Sequence, residues 1–583
     1  MRSVVRRERR QRDVVEEIRH HLVAGRREMP VDAAVQVRPA CVVRPRQRRR
    51  GVEDALMNIG FRKMAAYVRH LNAETTVRYV AYDNYLSFSS LIQGRYGKGP
   101  AVGDDDLRAM AEPLARADLV CFSSMSGYAP LTRNVMQHLR ALNPSARIVW
   151  GGIHPIMDPD DAIASDADAI CTGEGEFAFE SFLDGTRAGR DVTDTRNFWF
   201  KGPGGQVIKN GFLPLMTSDE MTKLPLLHYG RDELIYEARS RTYRSLGVPQ
   251  YLAYNGLGYN TIWSIGCPFK CTFCGNTKFI ANDNSYGKLR HPSVQYAIDE
   301  VNQARRVHPH ISTVVFHDDS FLALSYRTLE EFAVAWKQQV GLPFMIAGVI
   351  PNYVKEEKLA LLVDAGMNRL RMGIQNGSAE ILKFYDRPTP PPPILEAAAS
   401  IAKFKGYMIP PNYDVIVDNP IETEADVKAN LVFIKDLARP YTLNIFSLRV
   451  IPNTVLARQM EERSLSIDSI SGSYVGVAPT LANCLLFILS SVPIPNWLFE
   501  RWLAKARPLR AEQAFHPTFL KFCRLVYLAR RAFDHLRFMD FSVLTGHLGY
   551  TLWQLGIIGF WRRHVIPKFL REPPDRETSV TQV

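Results

Sequence analysis

Between about Ala55 and Arg458, short apolar runs alternate with helical patterns along almost the whole chain. No other feature limits the fold as strongly. Strands joined through helices pair in parallel, and a parallel sheet must be covered on both faces. In the first part, "TTVRYVAY", "DLVCFSSM", "ARIVWGG" and "ADAICTGEGE" read as strands. "DDDLRAMAEPLARA" reads as a helix with acidic residues in its first turn, where they suit the dipole, and "APLTRNVMQHLRALNP" as a helix stopped by Pro144. The expected fold is a flavodoxin-like, doubly wound α/β domain over residues 53–200. Ligands on such sheets sit beyond the carboxyl ends of the strands. The small and glycine residues of "SSMSG", "GGIHP" and "GEGE" fall there.

After an expected linker at 201–245, the alternation resumes. "NTIWSIG" is an apolar strand leading into a loop. It is followed by strand-like "STVVFHDDSF", "PFMIAGVI", "NRLRMGIQNGS", "NYDVIVDNP" and "TLNIFSLRVIP". Helical patterns such as "RTLEEFAVAWKQQV", "KEEKLALLVDAG", "PILEAAASIAKFKG" and "EADVKANLVFIKDLA" lie between them. This makes six strand–helix units over residues 246–457. Residues 458–583 lose the alternation and read as a mainly helical accessory region.

At 583 residues the chain is too long for one core. Eight cysteines in that length do not make a disulfide scaffold, and no secretory leader is evident, so a reducing cytoplasm is the expected location. The net charge of +12 does not point to nucleic acid. Residues 1–50 hold fifteen Arg, no Lys and six acidic residues, so that one arm carries +9. Residues 1–52 read as a disordered arm or mis-started segment, with Met57 as an alternative start.

Three cysteines, Cys267, Cys271 and Cys274, crowd into "GCPFKCTFCG" with C-x3-C-x2-C spacing. A structural zinc site wants four ligands, and only a lone His291 follows. A complete iron–sulfur site also takes four cysteines. Three thiolates can hold a [4Fe–4S] cluster by three irons and leave the fourth open to a substrate. The loop, with Phe273 just before the last cysteine, resembles the radical S-adenosylmethionine family. The resemblance implies a partial (β/α)6 barrel and chelation of the open iron by S-adenosylmethionine (SAM), whose reductive cleavage yields a 5′-deoxyadenosyl radical. It also implies SAM contacts at strand ends: Phe273, Asp318 and Asp319, Gln375 and Ser378, and Asp418. Gln375 stands where the family often has Glu. Arg449 reads mainly as a structural residue.

In the first domain, Ser123-Ser124-Met125 is followed, 28 positions after Ser123, by Gly151-Gly152. This resembles the Ser-x-Leu and Gly-Gly elements of cobalamin-binding domains. The resemblance implies a cobalamin site at Ser123, Ser124, Gly151, Gly152, His154, Gly173 and Glu174. The family's Asp-x-His-x-x-Gly element is missing, so its histidine ligand below cobalt is not expected. For His154, packing is the favoured role over ligation.

The order of domains resembles cobalamin-dependent radical SAM enzymes. That resemblance implies methyl transfer to an unactivated carbon of a small molecule, with the cluster, SAM and cobalamin as cofactors and flavodoxin or ferredoxin as electron donor. Relatives that cyclise or rearrange their substrates share the architecture. A methylthiotransferase would need a second three-cysteine cluster, and Cys121 and Cys171 fall in buried strands while Cys41 lies in the basic arm. A non-catalytic cobalamin or redox sensor is disfavoured by the intact triplet. The apolar stretch 541–561 has three readings: a helix covering the active site, an interfacial helix touching a membrane, or a true span. It tilts the expected substrate towards a hydrophobic one.

Overall fold

The computed structural model describes residues 40–44, 59–71, 74–81, 102–465 and 476–569, apart from residues 228, 229, 231, 239 and 543–545. Met57 and the basic arm lie outside the described residues, except for Ala40–Arg44, which form strand β1.

The first sheet region contains β1, β2 (Thr76–Ala81), β3 (Leu119–Ser123), β4 (Arg147–Gly151), β5 (Ala169–Cys171), β6 (Phe198–Lys201), β7 (Val207–Lys209), β8 (Leu234–Glu237) and β9 (Thr242–Ser245). β3, β4 and β5 pair in parallel, and β1 pairs in parallel with β2 and runs beside β3. The order 2-1-3-4-5 is the flavodoxin-like arrangement. Successive strand residues point to opposite faces, and each face has its own helix. Val120, Phe122, Ile148 and Trp150 pack on Val135, Met136 and Leu139 of the helix Ala129–Leu142. Leu119, Val149 and Ala169 pack on Phe179 and Phe182 of the helix Glu176–Arg187.

The stretch expected to be a linker carries β7, β8 and β9. β6 and β7 add antiparallel strands beside β5, and β8 joins β2 in parallel. Proline and glycine in this stretch mask three short strands in the sequence.

The second sheet has β10 (Gly258–Thr261), β11 (Thr313–Phe316), β12 (Phe344–Val349), β13 (Met367–Gln375), β14 (Asn412–Val417) and β15 (Thr442–Ser447). All neighbours are parallel and follow chain order, and β10 does not pair with β15, so the sheet is an open half-barrel. β10 ends at Thr261, earlier than "NTIWSIG" suggests; the next residues pair only through a bridge from Ile265 to Arg290. Outward residues such as Val314, Phe316, Ile346, Leu370 and Val415 bury against the helices, each worth about 1.5–3 kcal/mol. Inward positions form a separate small apolar layer, Val315, Met345 and Ala347, beside a polar layer that includes Arg371, Asp414 and Asn444.

The helix Leu481–Ser491 is buried along almost its whole length and packs against β15. The helix Pro517–Arg537 and the segment after it close the opposite mouth from the strand ends. Tyr527 Oη donates to the Leu443 carbonyl, Arg369 pairs with Asp540 at 3.0 Å, and Arg562 donates to the Ser312 carbonyl at 2.5 Å. These partners lie at the starts of β15, β13 and β11. Residues 541–561 therefore do not cover the active-site end. They break into the helices Gly546–Gln554 and Ile557–Phe560, with Gly556 at φ 72° between them. Among the described residues, no helix is long and apolar enough to cross a membrane.

Candidate functional site

The cysteine loop leaves β10 at the carboxyl end of the half-barrel. Gly266 has φ 116°, and a side chain there would overlap the Lys288 carbonyl. The loop is pinned from three sides. Thr272 N donates to the Tyr385 carbonyl at 2.9 Å, Leu456 N donates to the Thr272 carbonyl at 2.9 Å, and Ser320 Oγ donates to the Gly266 carbonyl at 3.0 Å. Phe273 meets Tyr385 edge-on at 5.0 Å within an apolar cluster that includes Ile381, Ile416 and Leu456. Its position secures the loop through packing.

Burial pushes the Cys267 thiol up to about 11 and the Cys274 thiol up to about 12, and Asp319 adds to both. Without metal these thiols hold their protons; binding the cationic iron–sulfide core would release them. Among the described residues, no three Cys, His, Asp or Glu side chains converge on a single-ion site. Arg387 sits inside the loop. Its Nη1 donates to Cys271 Sγ at 3.5 Å, its Nη2 donates to the Gly373 carbonyl at 2.7 Å, and its guanidinium lies 5.5 Å from the Phe269 ring centre. Its Nε is buried without a partner. The donor set and this cation fit an anionic thiolate cluster, to be held by Cys267, Cys271 and Cys274.

The expected SAM contacts divide. Asp318 is 2% exposed, and its carboxylate accepts from Trp263 N at 3.0 Å, Ser264 N at 2.6 Å and Ser264 Oγ at 2.5 Å. It braces the approach to the cysteines, and burial raises it to about 6. Gly348, at φ 65°, lets β12 pass over this turn; a side chain there would overlap the Asp318 carbonyl. Ser378 caps the helix Ala379–Phe384 and donates to Asp426 at 2.5 Å. Asp418 accepts from Ala478 N at 3.0 Å and Asn483 Nδ2 at 2.8 Å. The carboxylates of Asp318 and Asp418 and the hydroxyl of Ser378 thus have protein partners. Asp319 is likewise held by protein groups, its Oδ2 accepting from Gly266 N at 3.4 Å and Tyr286 Oη at 3.2 Å, and half-buried Gln375, at φ 65°, folds its amide over Gly373. Arg449 lies half-buried beyond the end of β15.

A cavity of about 440 Å³ opens at the ends of β3, β4 and β5. Ser123, Gly151, Gly152, Gly173 and Glu174 line it, and Ile262, Ile265, Phe279 and Tyr286 face it from around the cysteine loop. Gly152, at φ 90°, admits no Cβ, which would come within 2.6 Å of Ser123 Oγ; at Gly173 it would come within 2.8 Å of Asn197. Bare backbone and mostly apolar walls fit the flat base and sugar of a cobalamin tail. Ser124 is instead fully buried and accepts from Trp150 Nε1 at 3.0 Å. His154 is buried, 4.9 Å from Trp150 ring to ring, with Nε2 2.8 Å from Asp161 Oδ2. Burial lowers its pKa. It is absent from the cavity wall, and no histidine lines the cavity among the described residues.

Two family models fit these two regions: the B12 binding domain over residues 58–183 and the radical SAM superfamily over residues 261–434. The chain carries a B12-binding domain and a radical SAM domain. The first domain implies cobalamin, and the second implies SAM and a [4Fe–4S] cluster. An uncharacterised methyltransferase of Pyrococcus horikoshii is 25% identical to this radical SAM protein over 305 residues, 52% of this chain and 60% of that protein. The chain thus matches only about three fifths of that relative's length. The fold is similar to the cobalamin-dependent SAM radical enzyme OxsB, solved with aqua-cobalamin and SAM, at TM-score 0.57 and 14% identity, covering 93% of this chain and 77% of that one. It is also similar to the radical SAM methyltransferase TsrM of Kitasatospora setae, at TM-score 0.55 and 14% identity, covering 90% and 97%.

Sequence reading missed Arg387, which lies in the turn "YDRPTPPPP" with no periodicity to mark it. It also missed the inward polar layer, although Arg369 and Arg371, and Asn412 and Asp414, stand two apart as one strand face requires.

Proposed function

We propose that this radical SAM protein methylates an unactivated carbon of a small molecule. The observation that carries the reading is the single cavity shared by the strand ends of the B12-binding domain and the residues flanking the cysteine loop. Groups held at these two places would be neighbours. When bound, the cluster with SAM would supply hydrogen abstraction, and cobalamin would carry the methyl group. Cys267, Cys271 and Cys274 hold the cluster in this reading, and Arg387 steadies the charge on Cys271. In this reading Asp319 and Gln375, both half-buried, are the groups offered to SAM. Gly151, Gly152 and Gly173 admit the cobalamin tail.

The substrate would sit over the inward face of the half-barrel. There Arg371 pairs with Asp414 at 2.8 Å, Asn444 donates to Asp414 at 3.0 Å, and His317 lies 3.0 Å from Asn260. Such walls suit a substrate with polar groups to bind. The stretch 541–561, which tilts the expectation towards a hydrophobic substrate, lies at the other end. A one-electron donor of the flavodoxin or ferredoxin kind completes the system.

The test is anaerobic purification with cobalamin supplied, then iron, sulfide and corrinoid analysis, followed by product analysis with SAM. Formation of both 5′-deoxyadenosine and S-adenosylhomocysteine supports methyl transfer. 5′-Deoxyadenosine alone, with corrinoid bound, would move the reading to cyclisation or rearrangement. Iron without corrinoid would end the cobalamin reading.

A further inference from the structure

We propose that the C-terminal region docks this protein on an anionic membrane surface through an amphipathic, cationic face. Among the described residues, every Phe or Trp that is largely exposed lies in this region: Trp497, Phe515, Phe522, Phe533 and Phe560, with Phe533 at 64% and Trp497 at 68%. Isolated exposed apolar residues are ordinary, but a concentration of large ones marks a contact surface.

The helix Pro517–Arg537 organises them. One face is fixed inward by Leu520, Cys523, Tyr527 and Arg531. The other presents Phe522, Leu525, Ala529, Phe533 and Leu536, at steps of three and four residues that keep one helical face. Exposed Lys521, Arg530 and Arg537 each follow or precede one of these residues.

Charge selects the occupant. Residues 492–569 hold twelve Lys and Arg against four Asp and Glu. Two of the four, Asp534 and Asp540, are buried and paired with Arg530 and Arg369. Three of the twelve cations, Arg524, Arg531 and Arg562, also turn inward, which leaves nine against Glu500 and Glu512. The outer face is therefore cationic around an apolar stripe, the pattern of a helix lying in a membrane interface. A second copy would have to bring two such faces together, Arg against Arg. The arm at residues 1–39 is itself rich in Arg, so it does not complement the face either.

The inward side of this helix touches the starts of β13 and β15 through His535 and Tyr527, whereas the cysteine loop follows the carboxyl end of β10. Docking would place the catalytic end away from the lipid. The proposal concerns anchoring, and it stands whether or not the protein methylates.

The test uses the full chain in sedimentation with vesicles of phosphatidylcholine alone and of phosphatidylcholine mixed with phosphatidylglycerol. Binding is expected to the mixed vesicles and to be released by salt. Lys521→Gln with Arg537→Gln should weaken it roughly 25-fold, about fivefold per charge near the surface. Phe522→Ser with Phe533→Ser should abolish it. All four positions are exposed, so circular dichroism and gel filtration should match wild type. No binding to mixed vesicles overturns the proposal. Equal binding to neutral vesicles overturns the role of charge. A dimer lost in the Phe522→Ser, Phe533→Ser variant would assign the face to a second copy.

Discussion

Arg290 and Glu174 join the two sheet regions at 2.8 Å. Glu174 follows β5 and lines the cavity, while Arg290 forms the backbone bridge to Ile265 just ahead of the cysteines. Arg290 also donates to the Met216 carbonyl at 2.6 Å, and Glu174 accepts from Met216 N at 2.7 Å. One ion pair thus sets the position of the cobalamin wall against the cysteine loop.

Arg290→Met should lower stability by about 3 kcal/mol, because two acceptors lose a charged donor at once. It should also loosen corrinoid retention. Chemical denaturation and gel filtration of corrinoid-loaded protein would check both; unchanged retention would show that the pair does not position the cavity.

Gly348→Ala should cost about 3–5 kcal/mol, from a positive φ and a clash with the turn that carries Asp318. A soluble variant with normal stability would contradict the packing of β12 over that turn.

Asp318 gives a pH prediction. Its folded pKa, about 6, lies above the ordinary value of about 3.9, so the folded state holds the proton more tightly. This contribution is present below about pH 4 and is lost as pH rises through about 6, by about 2–3 kcal/mol. The stability difference between wild-type apoprotein and Asp318→Asn should change by that amount across the window. A constant difference would remove the effect.

Arg387→Gln should make the cluster potential more negative, on the order of tens of millivolts, since about 59 mV is a tenfold change for one electron. Arg387→Lys should restore part of the shift by keeping the charge. Redox titration followed by electron paramagnetic resonance reads this without turnover. Identical potentials in all three proteins would leave Arg387 only a packing role.

Cys271→Ala should abolish iron loading while leaving corrinoid binding intact, because the cavity wall does not include Cys271. Iron analysis and the optical spectrum would decide it; loss of corrinoid as well would mean that the two sites fold together.

Much of this was legible in the chain itself. The alternation of apolar runs predicts β2 to β5 and β11 to β15, because the side of each parallel strand that meets the covering helices must be apolar. C-x3-C-x2-C is legible because three ligands on one loop need only local spacing. Asp319 and Gln375 are legible as strand-end residues, and both are half-buried. The same rule also picked out Asp318, Ser378 and Asp418, whose side chains turn to Ser264, Asp426 and Asn483. Position along a strand says where a residue is but not which partner its side chain meets.

By itself, then, the sequence determined the two parallel-sheet regions, their order, and the cysteine triplet, all of which follow from periodicity and short-range spacing. Only the tertiary structure decided that Glu174 meets Arg290, that Arg387 reaches Cys271, and that the C-terminal region closes the far mouth of the half-barrel. Those contacts join residues separated by 116 positions for the first two pairs and 171 for Arg369 and Asp540. No local pattern records such pairings, because they are selected by packing and charge once the elements have assembled.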